Sequence, residues 1–276
     1  MGYGQSGSLP VVTQNSLVTA ANWSPLVTTL NSAYLHQYGT TTSLPLPVKD
    51  ATITYAQEYN NVLQSLWNTR LNSYSAGGTP ITKSYVVSTG WTSTISTTFN
   101  ITFTSGNAAR YFFNCGGSIK INFTATGFPS TSIQAATMNT LCTQTGNLYI
   151  CAPNSTNTVK LGANTYSGFT QVTPGSIANR TSYLQSGGYY GLTSTNQLLY
   201  KMTAAAYPNT YLSVGARTNG PQGSNGDNGS IISVAASWVA SPASTTSIPG
   251  IFTTVCTVIP PETTNLVNSW GTPTIT

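Results

Sequence analysis

Two runs of strict alternation, Leu212, Val214, Ala216 and then Ile232, Val234, Ala236, Trp238, flank the loop TNGPQGSNGDNGS, Thr218 to Ser230. A period of two puts every apolar side chain of a strand on one side, and a Gly/Asn-rich turn between two such runs joins them as a hairpin. A chain carrying this pair must build a sheet with one hidden face. The alternation recurs at Thr97, Phe99, Ile101 and Phe103, and at Ile119, Ile121 and Phe123 with Lys120 and Asn122 turned the other way.

From about Pro80 onward the chain reads as β structure. RYFFNCGGSIKINFTATG is expected to form two strands about a Cys-Gly-Gly turn, GGYYGLTSTNQLLYKMTAA to carry further strands, and GIFTTVCTVI to be a last strand ended by Pro260 and Pro261. One short helix, Ile133 to Cys142, interrupts them. The expected fold is mainly β, with a β-sandwich-like domain over residues 79–276.

The first third reads differently. Residues 1–20 are Gly- and Ser-rich and are expected to form an extended arm. Ser24 before Pro25 is a good start for a helix carrying Leu26, Leu30, Ala33 and Tyr34, which Gly39 stops. After a proline-broken linker, Asp50 can cap a second helix with Ile53, Ala56, Tyr59, Leu63, Trp67, Leu71 and Tyr74 near one face. Residues 1–78 are thus expected to be an arm and two α-helices. No fixed-period repeat divides the chain further.

Charge bears on partners. Only 5% of the residues are charged, against about 25% in an average soluble protein. The polarity is therefore hydroxyl and amide. Apolar residues make up 39%, with 16 Tyr and 5 Trp, enough burial to offset the entropy of ordering. The net charge of +5 is spread over isolated Lys and Arg residues, which gives no stripe for nucleic acid. No basic leader precedes an apolar run, and no run reaches about 20 residues, so neither secretion nor a membrane span is expected.

Groups for catalysis are few. The carboxylates are Asp50, Glu58, Asp227 and Glu262; the first two, on one predicted helix, stand about 12 Å apart by rise, too far for a retaining glycosidase pair. His36 is the only histidine, and without a nucleophile elbow it reads as a polar surface residue near a helix C-terminus. Cys115, Cys142, Cys151 and Cys256 lack metal spacing and read as buried thiols, a Cys142–Cys151 disulfide being the alternative. The loop around Asp227 has no downstream Glu for an EF-hand and no following helix for a phosphate cradle, so it reads as a hairpin turn, a weak cation site of Asp227, Asn225 and carbonyls being the alternative. No catalytic residue, cofactor or metal is expected.

Four phrases occur in order: NAARYFFNCGG from Asn107, GGYYGLT from Gly187, VGARTNGPQGSNGDNGS from Val214 and PPETTNLVNSWGTPT from Pro260. Together they resemble virion structural proteins of tailed bacteriophages, especially cyanobacterial and marine phages, over roughly residues 80–276. Cys115 departs from the small or polar residue expected before the paired glycines. The resemblance implies a structural component of tails, baseplates or appendages, made in the host cytoplasm and located in the virion, without enzymatic activity or cofactor. Its partners would be other virion proteins and further copies in a symmetric assembly.

On that reading Tyr3, Leu9, Trp23 and Trp67 are the expected assembly contacts, and Gln222, Asn225, Asp227 and Asn228 the expected distal loop contacts. The alternative for both tryptophans is internal packing. Alternative functions are a tail-fibre module that binds a host surface glycan, and a capsid decoration or neck protein.

Overall fold

The computed structural model describes residues 13–15, 19–46, 48, 56–69, 73–75, 77–127, 133–152, 159–161, 164–173, 180–184, 187–205, 207–224, 226–240, 247–263, 266 and 268–276. Most of the expected arm, with Tyr3 and Leu9, lies outside them, as do Asp50, Ile53, Leu71 and Asn225.

The N-terminal part contains α1 (Ala20–Tyr38) and α2 (Ala56–Asn68). Helix α1 starts one turn earlier than Ser24 and Pro25 suggest. Its cap is Thr19, whose backbone N–H donates to Asn22 Oδ1 at 2.9 Å, and Pro25 lies inside the helix. Gly39 ends it as expected, in the left-handed region at φ 74°, with its N–H bonded to Leu35 O. The helices share a core of their own: Val27 and Leu30 of α1 pack with Leu44, Tyr59 and Leu66, and Trp23 lies against Tyr59 with ring centroids 5.3 Å apart.

The expected apolar face of α2 divides. Tyr59 and Leu66 are buried, whereas Leu63 and Trp67 are 45% and 65% exposed. The helix carries two apolar stripes, and α1 covers only the one containing Tyr59, Val62 and Leu66. A small sheet follows, in which β1 (Ser73–Ser75) pairs in parallel with β6 (Val159–Leu161), and β6 with β7 (Asn164–Tyr166).

The β part is built from two larger sheets. The first contains β3 (Thr94–Thr102), β9 (Arg180–Leu184), β10 (Gln197–Ala204), β11 (Tyr207–Thr218), β12 (Ile231–Val239) and β14 (Thr274–Ile275), in spatial order β14-β3-β12-β11-β10-β9. The second contains β2 (Ile81–Val87), β4 (Ser118–Thr126), β5 (Asn147–Ile150), β8 (Phe169–Val172) and β13 (Ile251–Ile259), in order β2-β13-β4-β5-β8. Every pairing within these two sheets is antiparallel. The architecture is a mainly β, sandwich-like fold.

Register explains the core. Trp238 stands opposite Leu212 on one side and Ile95 on the other, and Val234 opposite Ala216 and Phe99, so their side chains form continuous buried rows. The second sheet answers with Phe252, Cys256 and Val258 beside Ile121 and Ile119. Phe123 meets Trp238 edge to face at 6.0 Å and joins the two layers. Burial of such rows stabilises at about 25 cal/mol per Å² of apolar surface, which here outweighs any contribution from sparse surface charge.

Helices also enter this domain. RYFFN, expected as a strand, belongs to α3 (Gly106–Asn114), whose Phe112 and Phe113 are fully buried in the core. Strand propensity yields here to a local cap: Ser105 Oγ accepts from Ala108 N at 3.1 Å. Helix α4 (Ile133–Thr145) extends the expected one by a turn and lies against β4 of one sheet and β10 and β11 of the other. Gly188–Gly191 forms a single helical turn, α5.

Candidate functional site

The hairpin loop between β11 and β12 is folded back onto the sandwich. Asp227 is 6% exposed, and its Oδ1 accepts hydrogen bonds from Gln222 N at 2.9 Å and Gly229 N at 3.0 Å. Burial pushes its pKa up, but backbone donors from Gln222, Gly229, Gly223 and Asp227 itself outweigh this and hold it below the ordinary value. Surroundings made of N–H donors suit a carboxylate and repel a cation. The carboxylate also sits against Gly106 at the start of α3, where the helix dipole favours negative charge.

Glycine at 106 is required by this approach, because a methyl group there would overlap the Asp227 carboxylate. Gly229 is fixed for another reason: it has φ +104° and lies against Asn219 and Gly220. Gln222 bridges the two segments, accepting from Gly106 N at 3.0 Å through Oε1 and donating to Ser230 Oγ at 2.8 Å. Asn219 closes the base of the loop, its Oδ1 accepting from Ser230 N and Ile231 N.

A second set of bonds ties the loop to α5. Asn228 donates through Nδ2 to Tyr189 O at 2.8 Å and Leu192 O at 2.6 Å, while its N–H donates to Tyr189 Oη at 2.9 Å. Tyr189 Oη in turn donates to Gly229 O. Burial raises the pKa of this phenol and keeps it a donor. The Tyr189 ring stacks on Phe113 of α3 at 4.4 Å, and Tyr190 Oη donates to Asn114 Oδ1.

Segments far apart in sequence therefore meet in one knot. NAARYFFNCGG supplies α3, GGYYGLT supplies α5, and the Gly/Asn-rich loop locks both to the hairpin. The fourth phrase lies nearby in the chain's own pairing: Trp270 is buried in the same core, and β14 pairs with Thr102 and Ile101 at the end of β3.

No protein-family model, curated protein or solved structure matches this chain.

Beside the knot, the outer face of the first sheet forms a cleft of about 570 Å³. Asn100, Ser233 and Arg217 cross it as one row of opposed residues on β3, β12 and β11, with Ser194, Asn219 and Thr276 around them. Ser233 Oγ donates to Asn100 Oδ1 at 2.7 Å. Hydroxyls, amides and one guanidinium on a shallow floor can hydrogen-bond a polar ligand.

The sequence-expected contacts are thus separated. Trp23 packs internally, and Trp67 is exposed on α2. Asp227 and Asn228 are engaged within the knot, and Gln222 keeps an exposed body while its amide is bonded on both sides. Gly106, Tyr189 and Asn219 were not among the expected site residues. Gly106 and Tyr189 meet partners far away in the chain, and only Tyr189 and Asn219 belong to the quoted phrases.

The remaining reactive groups are interior. The described cysteines are all free and buried, and burial pushes the Cys115, Cys151 and Cys256 thiols up to about 12 and Cys142 well above its ordinary value. His36 is 2% exposed rather than on the surface, and neither ring nitrogen has a hydrogen-bond partner. Desolvation, with the N-terminal charge, lowers its pKa to about 4, so it is held as neutral imidazole.

Proposed function

We propose that the chain is a structural subunit of a tailed-phage virion, in a tail, baseplate or fibre-attachment position, acting through assembly and not catalysis. The observation that carries this reading is the interlocking of α3, α5 and the 218–230 loop. The phrases that resemble virion proteins hold a fold, and the polar atoms that could have served chemistry are bonded to backbone. A chain rich in Ser, Thr and Asn with only 5% charged residues supports it, since it has few ions to desolvate where it meets neighbours.

In this account the N-terminal unit joins the subunit to its neighbours. Removing residues 1–20 is expected to leave a folded β domain that no longer enters particles. Normal incorporation of the truncated protein would overturn the docking role.

A second reading, a module that binds a host glycan, is favoured by the cleft at Asn100, Ser233 and Arg217. Saturable binding on a glycan array, lost on Arg217→Ala, would promote it. No binding to any array glycan would leave assembly as the sole role.

A further inference from the structure

Strand β2 ends the second sheet, and among the described residues only β13 pairs with it, while β14 of the first sheet lies close by without pairing. Residues Thr82 to Val86 are all exposed, with Tyr85 at 38% and Val86 at 54%. Seven residues, Ile81-Thr82-Lys83-Ser84-Tyr85-Val86-Val87, thus present one open side to solvent with a single charge. Such an edge is a template for another strand.

The order of these residues specifies which strand fits. In an antiparallel pair of two copies centred on Ser84, Ile81 meets Val87, Thr82 meets Val86, and Lys83 meets Tyr85. Apolar β-branched residues oppose each other at the ends, and each ammonium faces a ring. The protein already makes that contact elsewhere: Lys201 Nζ lies 4.1 Å from the Tyr211 ring centroid.

Side preference agrees as well. Ile81, Lys83, Tyr85 and Val87 oppose the core residues Val258, Cys256, Thr254 and Phe252, whereas Thr82, Ser84 and Val86 oppose Thr257, Val255 and Thr253 on the other face of β13. Pairing about Ser84 keeps each set on its own side, as a continuous sheet requires. Shifting the centre to Lys83 sets two ammonium groups against each other.

We infer that β2 is a self-association edge, on which a second copy of this chain adds its own β2 antiparallel about Ser84 to join two five-stranded sheets across a two-fold axis. The inference needs only this edge, and it stands apart from the assignment to a virion.

The test uses the full chain. Analytical ultracentrifugation from about 1 to 100 μM should show a concentration-dependent dimer, within the range of a modest interface. Ser84→Cys should form an intermolecular disulfide on mild oxidation, because opposed Cα atoms in such a pair lie about 4.5–5.5 Å apart. Val86→Cys is the control: also exposed, it would sit about 13 Å from its own mate and should link far more slowly. The native thiols, all buried, give no background.

Tyr85→Lys opposes two ammonium pairs and should weaken dimerisation about tenfold, whereas Tyr85→Glu should retain it. Circular dichroism checks that both variants are folded. A monomer throughout the range, equal cross-linking at both cysteines, or equal association of the Lys and Glu variants would each overturn the inference.

Discussion

At the scale of single residues, Asp227 holds the most. Its Oδ1 accepts two backbone N–H bonds, and the start of α3 packs against it. Asp227→Ala leaves those donors unsatisfied and is expected to cost about 3 kcal/mol in urea denaturation. Because its pKa is lowered in the fold, this contribution is complete above the unfolded value near 4 and is lost as pH falls through the folded one. Gly106→Ala should be similarly damaging by overlap alone. That Asp227 lies in a turn is legible from flanking alternation, but its buried partners are not, since the start of α3 lies well over a hundred residues upstream.

His36 gives a second prediction at this scale, with the opposite sense of burial. Its imidazole is neutral in the fold, with a pKa lowered from 6.5 to about 4 by desolvation first. The unfolded chain binds a proton the folded one refuses, so stability is full above pH 6.5 and falls as pH drops toward about 4. The full loss is about 3 kcal/mol. Denaturation followed at pH 7.5 and pH 4.5 should show it, and His36→Leu should flatten it. Equal stability of the wild type at both values would contradict burial of the neutral ring. Sequence position suggested a surface histidine, because nothing local announces that the last turn of α1 is covered.

At the scale of elements, alternation was the reliable guide. The residues expected to share a face in β3, β4, β11 and β12 do so, because a period of two with one hidden side admits a single register. Helix α3 is not legible for the converse reason: its aromatic residues favour strands, and burial of Phe112 and Phe113 from a Ser105-capped helix overrides that preference. Helix α2 is legible only in part: Tyr74, expected on it, lies in strand β1, and its two stripes cannot be ranked without knowing where α1 lies. Trp23→Ala should therefore cost about 2 kcal/mol in stability of the helical pair, while Trp67→Ser should change it by less than about 0.5 kcal/mol. Thermal melts monitored by far-UV circular dichroism compare the two.

At the scale of the whole molecule, the two larger sheets, with α3 and α4, share one core, the helical unit has its own, and few ionic groups are used anywhere. The four thiols report on the opening of this structure. They should be inert to a thiol reagent at pH 8 in the native protein and all react in denaturant. A fold whose recognisable residues bind one another, beneath a hydroxyl-rich surface, is suited to being a part among parts. Mass spectrometry of gradient-purified phage particles decides whether it is one. A virion subunit is expected in intact particles at a fixed copy number that matches a symmetric ring or appendage; abundance in the infected-cell lysate with absence from particles would contradict the assembly role.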